Sequence, residues 1–293
     1  MNIYRTTQGS MSRLLTSELG QLTTQIRKTE TQAITGLRYN RPSDGPAEVA
    51  TAIKLQGVID DQAEFEDNIS RALSFQSSGD DALAQASEIF KRAKEIAVAG
   101  ASEGYDATSR SAMAVEVQGL SESLLAVANT RIGERYIFAG ENYDGEAFDA
   151  TFTYQGGNNS PETRIASNLW TETGWDGSEV FQGTVDTFQV LEDVAAALDA
   201  DDPDTVFALL SDLEDAFNQL SAARQQVGHE QKMTEDAEET AGNIHSILVA
   251  EYNAIAQIDE TETYTRLNEL QQSYNAALQV GAASSTGKLF EYL

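Results

Sequence analysis

Apolar residues recur along this chain at two different periods, and the change of period divides it into regions. Near the N-terminus Leu15, Leu19, Leu22, Ile26, Thr29, Ala33 and Gly36 step alternately by four and three; near the C-terminus Leu267, Leu270, Tyr274, Ala277, Gly281 and Ser284 step by three and four. Such a stripe is the heptad seam of a coiled coil, in which one narrow face of each helix meets a partner. A lone helix with a seam of ~30 residues gains little until it meets another, so each terminal helix predicts the other as its mate. Leu15, Leu19, Leu22, Ile26 and Ala33 with Leu267, Leu270, Tyr274 and Ala277 form the candidate assembly seam.

Between the ends the period stays helical over long stretches. From Ala47 to Val98, and from about Asp106 to Asn129, no proline intervenes and apolar residues return every three or four positions. Pro46 after Gly45 and Pro203 after Asp202 mark helix starts, since proline at the first helical position has no amide to waste. Val206, Leu209, Leu210, Leu213, Phe217 and Leu220, then Ile244, Leu248, Ile255 and Ile258, predict one long helix or two in line.

The pattern breaks between Gly140 and Gly183, which hold seven of the 21 glycines, Pro161 and both tryptophans, Trp170 and Trp175. Alternation from Ala147 to Tyr154 predicts a strand with Phe148, Phe152 and Tyr154 on one side, followed by a turn at Gly156-Gly157-Asn158-Asn159. The fold class is therefore mainly α: a long helical rod with N- and C-terminal helices paired as a coiled coil, plus a small β-rich inserted domain. The expected division is 1–42 with 262–293 for the terminal helices, 43–140 with 188–261 for the rod, and 141–187 for the insert.

Charge sharpens the division. The chain of 293 residues has 19 Lys+Arg against 47 Asp+Glu, a net charge of −28, and residues 46–261 hold −30 while both ends are nearly neutral. A surface this acidic repels a phosphate backbone, so nucleic acid is not expected as a partner. The apolar run Ile96–Ala101 is far shorter than the ~20 residues of a membrane span, and Met1–Gln25 has no apolar stretch typical of a cleaved signal.

Candidate chemistry is sparse. There are no cysteines, so disulfides, thiolate metal sites and a cysteine nucleophile are excluded. His229 and His245 on one helix are separated by sixteen steps of ~100°, roughly 160° around the axis, and cannot share a metal. Gly281 to Lys288 resembles a phosphate loop only superficially, because Leu289 replaces the required Ser or Thr and no strand precedes it. Asp199, Asp201, Asp202 and Asp204 read as a charged helix cap rather than a calcium loop, since Pro203 occupies a ligand position. Pairs such as Glu235 and Glu239 arise by chance among so many acids, and the two tryptophans read as core before they read as a ligand pocket. No catalytic, cofactor-binding or metal residue is assigned, and no cofactor is expected.

Three stretches carry a family resemblance. Ile34-Thr35-Gly36-Leu37-Arg38-Tyr39-Asn40-Arg41-Pro42-Ser43-Asp44-Gly45-Pro46 resembles the flagellin superfamily, whose N-terminal helix ends in a TGxRxxxPSDxP turn; Gly45 stands where members usually have a second aspartate. Ala128-Asn129, followed by Gly133-Glu134-Arg135-Tyr136-Ile137-Phe138-Ala139-Gly140, is similar to the AN…GxYIFAG signature of that superfamily's hook-filament junction branch. The close, from Leu278 to Leu293, is the third.

The resemblance implies terminal helices forming an inner tube, a surrounding rod and an outward-facing β-rich part, with no enzymatic activity. It implies a structural adaptor between a hook-associated protein on the hook side and the flagellin filament. The implied partners are the chain itself in a ring or helical lattice, a proximal hook-associated protein, flagellin and a flagellar export chaperone. The implied location is extracellular, on the bacterial flagellum, after export without signal cleavage. The first and third stretches are shared with flagellin, which leaves a filament subunit as the alternative; a cytoplasmic coiled-coil scaffold is the alternative of another class.

Overall fold

The two heptad stripes lie on helices α1 (Gln8–Thr35) and α8 (Glu260–Thr286) of a computed structural model, which describes residues 8–286. Between them run α2 (Pro46–Gly100), α3 (Ala107–Ala128), the strands β1 (Arg131–Ile132), β2 (Arg135–Tyr136), β3 (Glu162–Ala166) and β4 (Leu169–Glu172), then α4 (Gly177–Gln182), α5 (Thr187–Asp199), α6 (Pro203–Ala208) and α7 (Leu210–Ala256). The chain divides into two compact units: residues up to Asp60 together with those from His245, and Asp61–Ile244. Among the described residues no helix is long and apolar enough to cross a membrane.

Helix starts in the second unit consume part of the acidic excess. Asp106 accepts from the Ser109 amide at 2.8 Å, Asp176 from Ser178, Asp186 from Phe188 and Gln189, and Asp202 from Thr205 at 3.1 Å. Each carboxylate satisfies amides that the first helical turn leaves unpaired and faces the positive end of the helix dipole. Asp202 with Pro203 is thus a helix cap, as its sequence reads, while Asp199 accepts from Ser111 and Asp201 pairs with Arg110.

The core of this unit follows the helical period. Leu83, Ala86, Phe90, Ala93 and Ala97 on α2 face Val117 and Leu124 on α3, Leu191, Val194 and Leu198 on α5, and Leu213, Ala216 and Leu220 on α7, all buried in one cluster. α3 packs along α5. Arg110, itself buried, fastens one end by donating to the carbonyls of Gly100 (2.8 Å) and Ser102 (2.9 Å) and pairing with Asp201.

One expectation is corrected. Ala147–Tyr154 is not a strand: Phe148 and Tyr154 form a single bridge, and between them the chain reverses through Phe152, whose φ is +58°. Asp149 drives the reversal by accepting from the amides of Thr151 (2.8 Å) and Thr153 (3.0 Å). The three aromatics nevertheless meet: Phe152 stacks on Phe188 at 4.9 Å, and Phe148 contacts both Phe188 and Tyr154. The regular strands lie elsewhere, in the short antiparallel pairs β1–β2 and β3–β4.

Candidate functional site

Along α1, Leu15, Leu19, Leu22, Ile26 and Ala33 are partly covered and Thr29 is buried, whereas Thr16, Ser17, Glu18, Gly20, Gln21, Thr23, Thr24 and Gln25 face solvent. Along α8, Leu267, Leu270, Tyr274, Ala277 and Gly281 are likewise the covered positions. The two helices pack together within the first unit. At Gly281 the approach is tight: an added Cβ would lie 2.6 Å from Leu15 Cδ2. Small residues at such positions let two helices come near enough for a leucine to insert.

The helices are joined at their other ends by backbone. Gly36, with φ +72°, ends α1 in the left-handed conformation that suits glycine. Arg38 N then donates to Ala256 O at 2.7 Å, and Ile258 N donates to Gly36 O at 3.1 Å, so Leu37 and Gln257 form an antiparallel bridge. The Arg41-Pro42-Ser43-Asp44 motif follows as an extended residue and a one-turn helix. Asp44 Oδ2 accepts from the Arg41 amide (3.2 Å), and its other oxygen pairs with Lys28 on α1 (3.2 Å). The Lys28 ammonium holds the Asp44 carboxyl below the usual carboxylate range. Gly45 has its own reason: a Cβ there would approach the Tyr39 ring at 2.7 Å, just before Pro46 opens α2.

The Arg135-to-Gly140 motif lies in the second unit and is a hub of backbone pairing. Arg135 stacks its guanidinium between Phe75 (4.9 Å) and Tyr143 (4.1 Å), and Tyr136 pairs with Arg131 across β1–β2. Ile137, Phe138 and Ala139 are fully buried. Their carbonyls accept from Trp175 N (2.8 Å), Gly177 N (2.9 Å) and Gly157 N (2.9 Å), so the motif is bound to two distant segments at once. Gly140 has φ +56°, and a Cβ there would fall 2.1 Å from Gly157 O. Phe138 meets Phe181 edge-on at 5.2 Å and Trp175 at 6.0 Å.

A scan of known families matches residues 7–143 to the N-terminal helical region of bacterial flagellin. That match covers 137 of the 293 residues, just under half of the chain. Among similar proteins, the flagellar hook-associated protein 3 of Salmonella typhimurium is 29% identical over 154 residues, covering 51% of this chain and 48% of that protein. The match therefore spans about half the length of that relative. The flagellar filament 33 kDa core protein of Treponema phagedenis is 23% identical over 269 residues, covering 89% of this chain and 90% of that one. In fold, the flagellar hook-associated protein-3 of Legionella pneumophila matches with a TM-score of 0.62 at 14% identity, over 69% of this chain and 98% of that structure.

His229 and His245 both lie on α7. Gly281 to Ser284 belong to α8, so the glycine-flanked run is helical as far as Thr286; Gly287 to Leu293 lie outside the described residues. Trp175 is core, but Trp170 is 54% exposed, so the two do not line one pocket. No group of three or more His, Asp or Glu among the described residues is arranged to hold a metal. Gly79, in mid-α2, escapes sequence reasoning because its reason is distant: a Cβ there would lie 2.3 Å from the Trp175 ring.

Proposed function

We propose that the chain is a structural adaptor at the junction of flagellar hook and filament, acting by helical packing and shape with no catalytic step. The observation that carries this reading is its likeness to hook-associated protein 3, combined with the Arg135-to-Gly140 signature that the core is built around. In this reading residues 1–42 with 262–293 form the inner part of the assembly, 43–140 with 188–261 surround it, and 141–187 face outward. The seam residues Leu15 to Ala33 and Leu267 to Ala277 hold the inner part together. The partners are further copies of the chain in a ring or helical lattice, a proximal hook-associated protein on one side and flagellin on the other. An export chaperone delivers the chain through the flagellar secretion apparatus, without signal cleavage, to the cell exterior.

A filament subunit is the second reading, favoured by the match to the Treponema core protein along most of both chains. Immunogold labelling of sheared flagella distinguishes the two. A single labelled band at the filament base is expected of the adaptor; label along the whole filament would establish the subunit reading.

A further inference from the structure

The hairpin β3–β4 is seated in the second unit by Ile165 against Ile69 and Ala241 and by neutral hydrogen bonds, and it carries carboxylates with few countercharges. Register places Glu162 directly opposite Glu172, a like-charged cross-strand pair of the kind that weakens a sheet. Glu172 lines a cavity of about 460 Å³ with Ser160, Trp175, Asp176 and Glu179, and no lysine or arginine is among the residues lining it. From α7, Glu230 accepts from Trp175 Nε1 at 3.4 Å, and burial raises its carboxyl above the usual carboxylate range, with His229 beside it in the chain. From α2, Gln76 donates to Thr171 Oγ1 (2.9 Å) and to the Glu172 carbonyl (3.2 Å), while the nearby Asp80 is already held by Arg224. Glu172 thus faces Glu162 on β3, Glu179 on α4 and Glu230 on α7.

We propose that Glu172 with Glu162 and Glu230 is a proton-operated clasp, in which uptake of one proton seats the β3–β4 hairpin on α7 and its loss loosens that seat. Glu162 opposite Glu172 on the hairpin and Glu230 on α7 place two like charges on Glu172, and a single proton on Glu172 removes both of those repulsive pairs. Thr171 Oγ1, in contact with Thr234 Oγ1 at 3.1 Å, ties the strand bearing Glu172 to α7, so motion of the carboxylate is transmitted to the seat itself. Burial, then the Glu230 charge, pushes Glu172 up to about 7, which poises the clasp near neutrality. The seated form keeps a proton that the released form gives up above 4.5, so seating weakens as pH rises from 4.5 to about 7 and then levels off.

The test uses the full-length chain carrying Trp170→Phe, which leaves Trp175 as the one fluorophore of its kind. Trp175 emission and the hydrogen-exchange protection factors of the Thr171 and Thr173 amides, corrected for intrinsic rate, are followed from pH 4.5 to 8.5. Protection should fall at least tenfold between pH 4.5 and 7 and level off above about 7, with Trp175 emission changing over the same range. In Glu172→Gln the transition should shrink or move, and in Glu162→Gln its midpoint should move to lower pH. A flat profile in the parent chain would overturn the clasp, as would a transition unchanged in Glu172→Gln. Should Glu172→Gln fail to fold, Glu162→Gln decides: a lowered midpoint supports the clasp and an unchanged one overturns it.

Discussion

The Asn129 side chain holds both backbone polar groups of Phe148. Its Nδ2 donates to the Phe148 carbonyl at 2.8 Å and its Oδ1 accepts from the Phe148 amide at 2.9 Å. One side-chain amide thus does for a buried residue what a neighbouring strand would do, at the point where α3 hands over to the irregular segment. Removing it strands two groups that water cannot reach. Asn129→Ala should therefore destabilise the second unit by roughly 2 to 4 kcal/mol in urea unfolding followed by circular dichroism. A loss below about 0.5 kcal/mol for the alanine variant would show that Phe148 is not fixed this way.

Gly140 combines a left-handed backbone with a carbonyl where its Cβ would be. Gly140→Ala should cost at least about 2 kcal/mol, from the conformational penalty and the clash with Gly157 O together. Gly145, with nothing within 4 Å of its Cβ position, is the matched control, and Gly145→Ala should stay within about 0.5 kcal/mol. Equal stability of the two variants in thermal unfolding would remove the packing account of the motif.

At Gly79 even the sign of the effect is diagnostic. An exposed mid-helix glycine gains about 1 kcal/mol on becoming alanine, through propensity alone. Because the new Cβ would press on the Trp175 ring, Gly79→Ala should instead destabilise by about 1 to 3 kcal/mol and shift Trp175 emission to the red. A stabilised variant with unchanged emission would contradict the contact.

On the seam, Leu22→Asp should raise hydrogen exchange along α1 and α8 while leaving the unfolding of the second unit unchanged. The leucine is covered by the pairing of α1 with α8, and an unpaired carboxylate in its place is costly to desolvate. Gln21→Asp, on the exposed face one residue earlier, should exchange like the parent chain. Equal exchange in both variants would mean that the seam does not hold the helices.

What could be read in advance follows from how periodicity works. It reports which face of an element is covered, so the helices bearing Leu15 to Ala33, Leu83 to Ala97 and Leu213 to Leu220 were legible from spacing, and Pro46 and Pro203 marked their starts. The segment Phe148–Tyr154 misled because alternation describes side-chain direction only while the backbone stays extended; Phe152 turns left-handed and restores the same side by reversal. The partners of Ile137, Phe138 and Ala139 were illegible for another reason: they lie far along the chain, and no local pattern encodes a non-local hydrogen bond. Gly79 and Asn129 belong to the same class, since each is explained by one distant residue.

The junction reading is tested most directly by deleting the gene and examining cells and medium together. The account predicts hooks without attached filaments and flagellin released into the medium, because incoming subunits lack the surface on which they would assemble. Filaments of normal length and number on the deletion strain would contradict it.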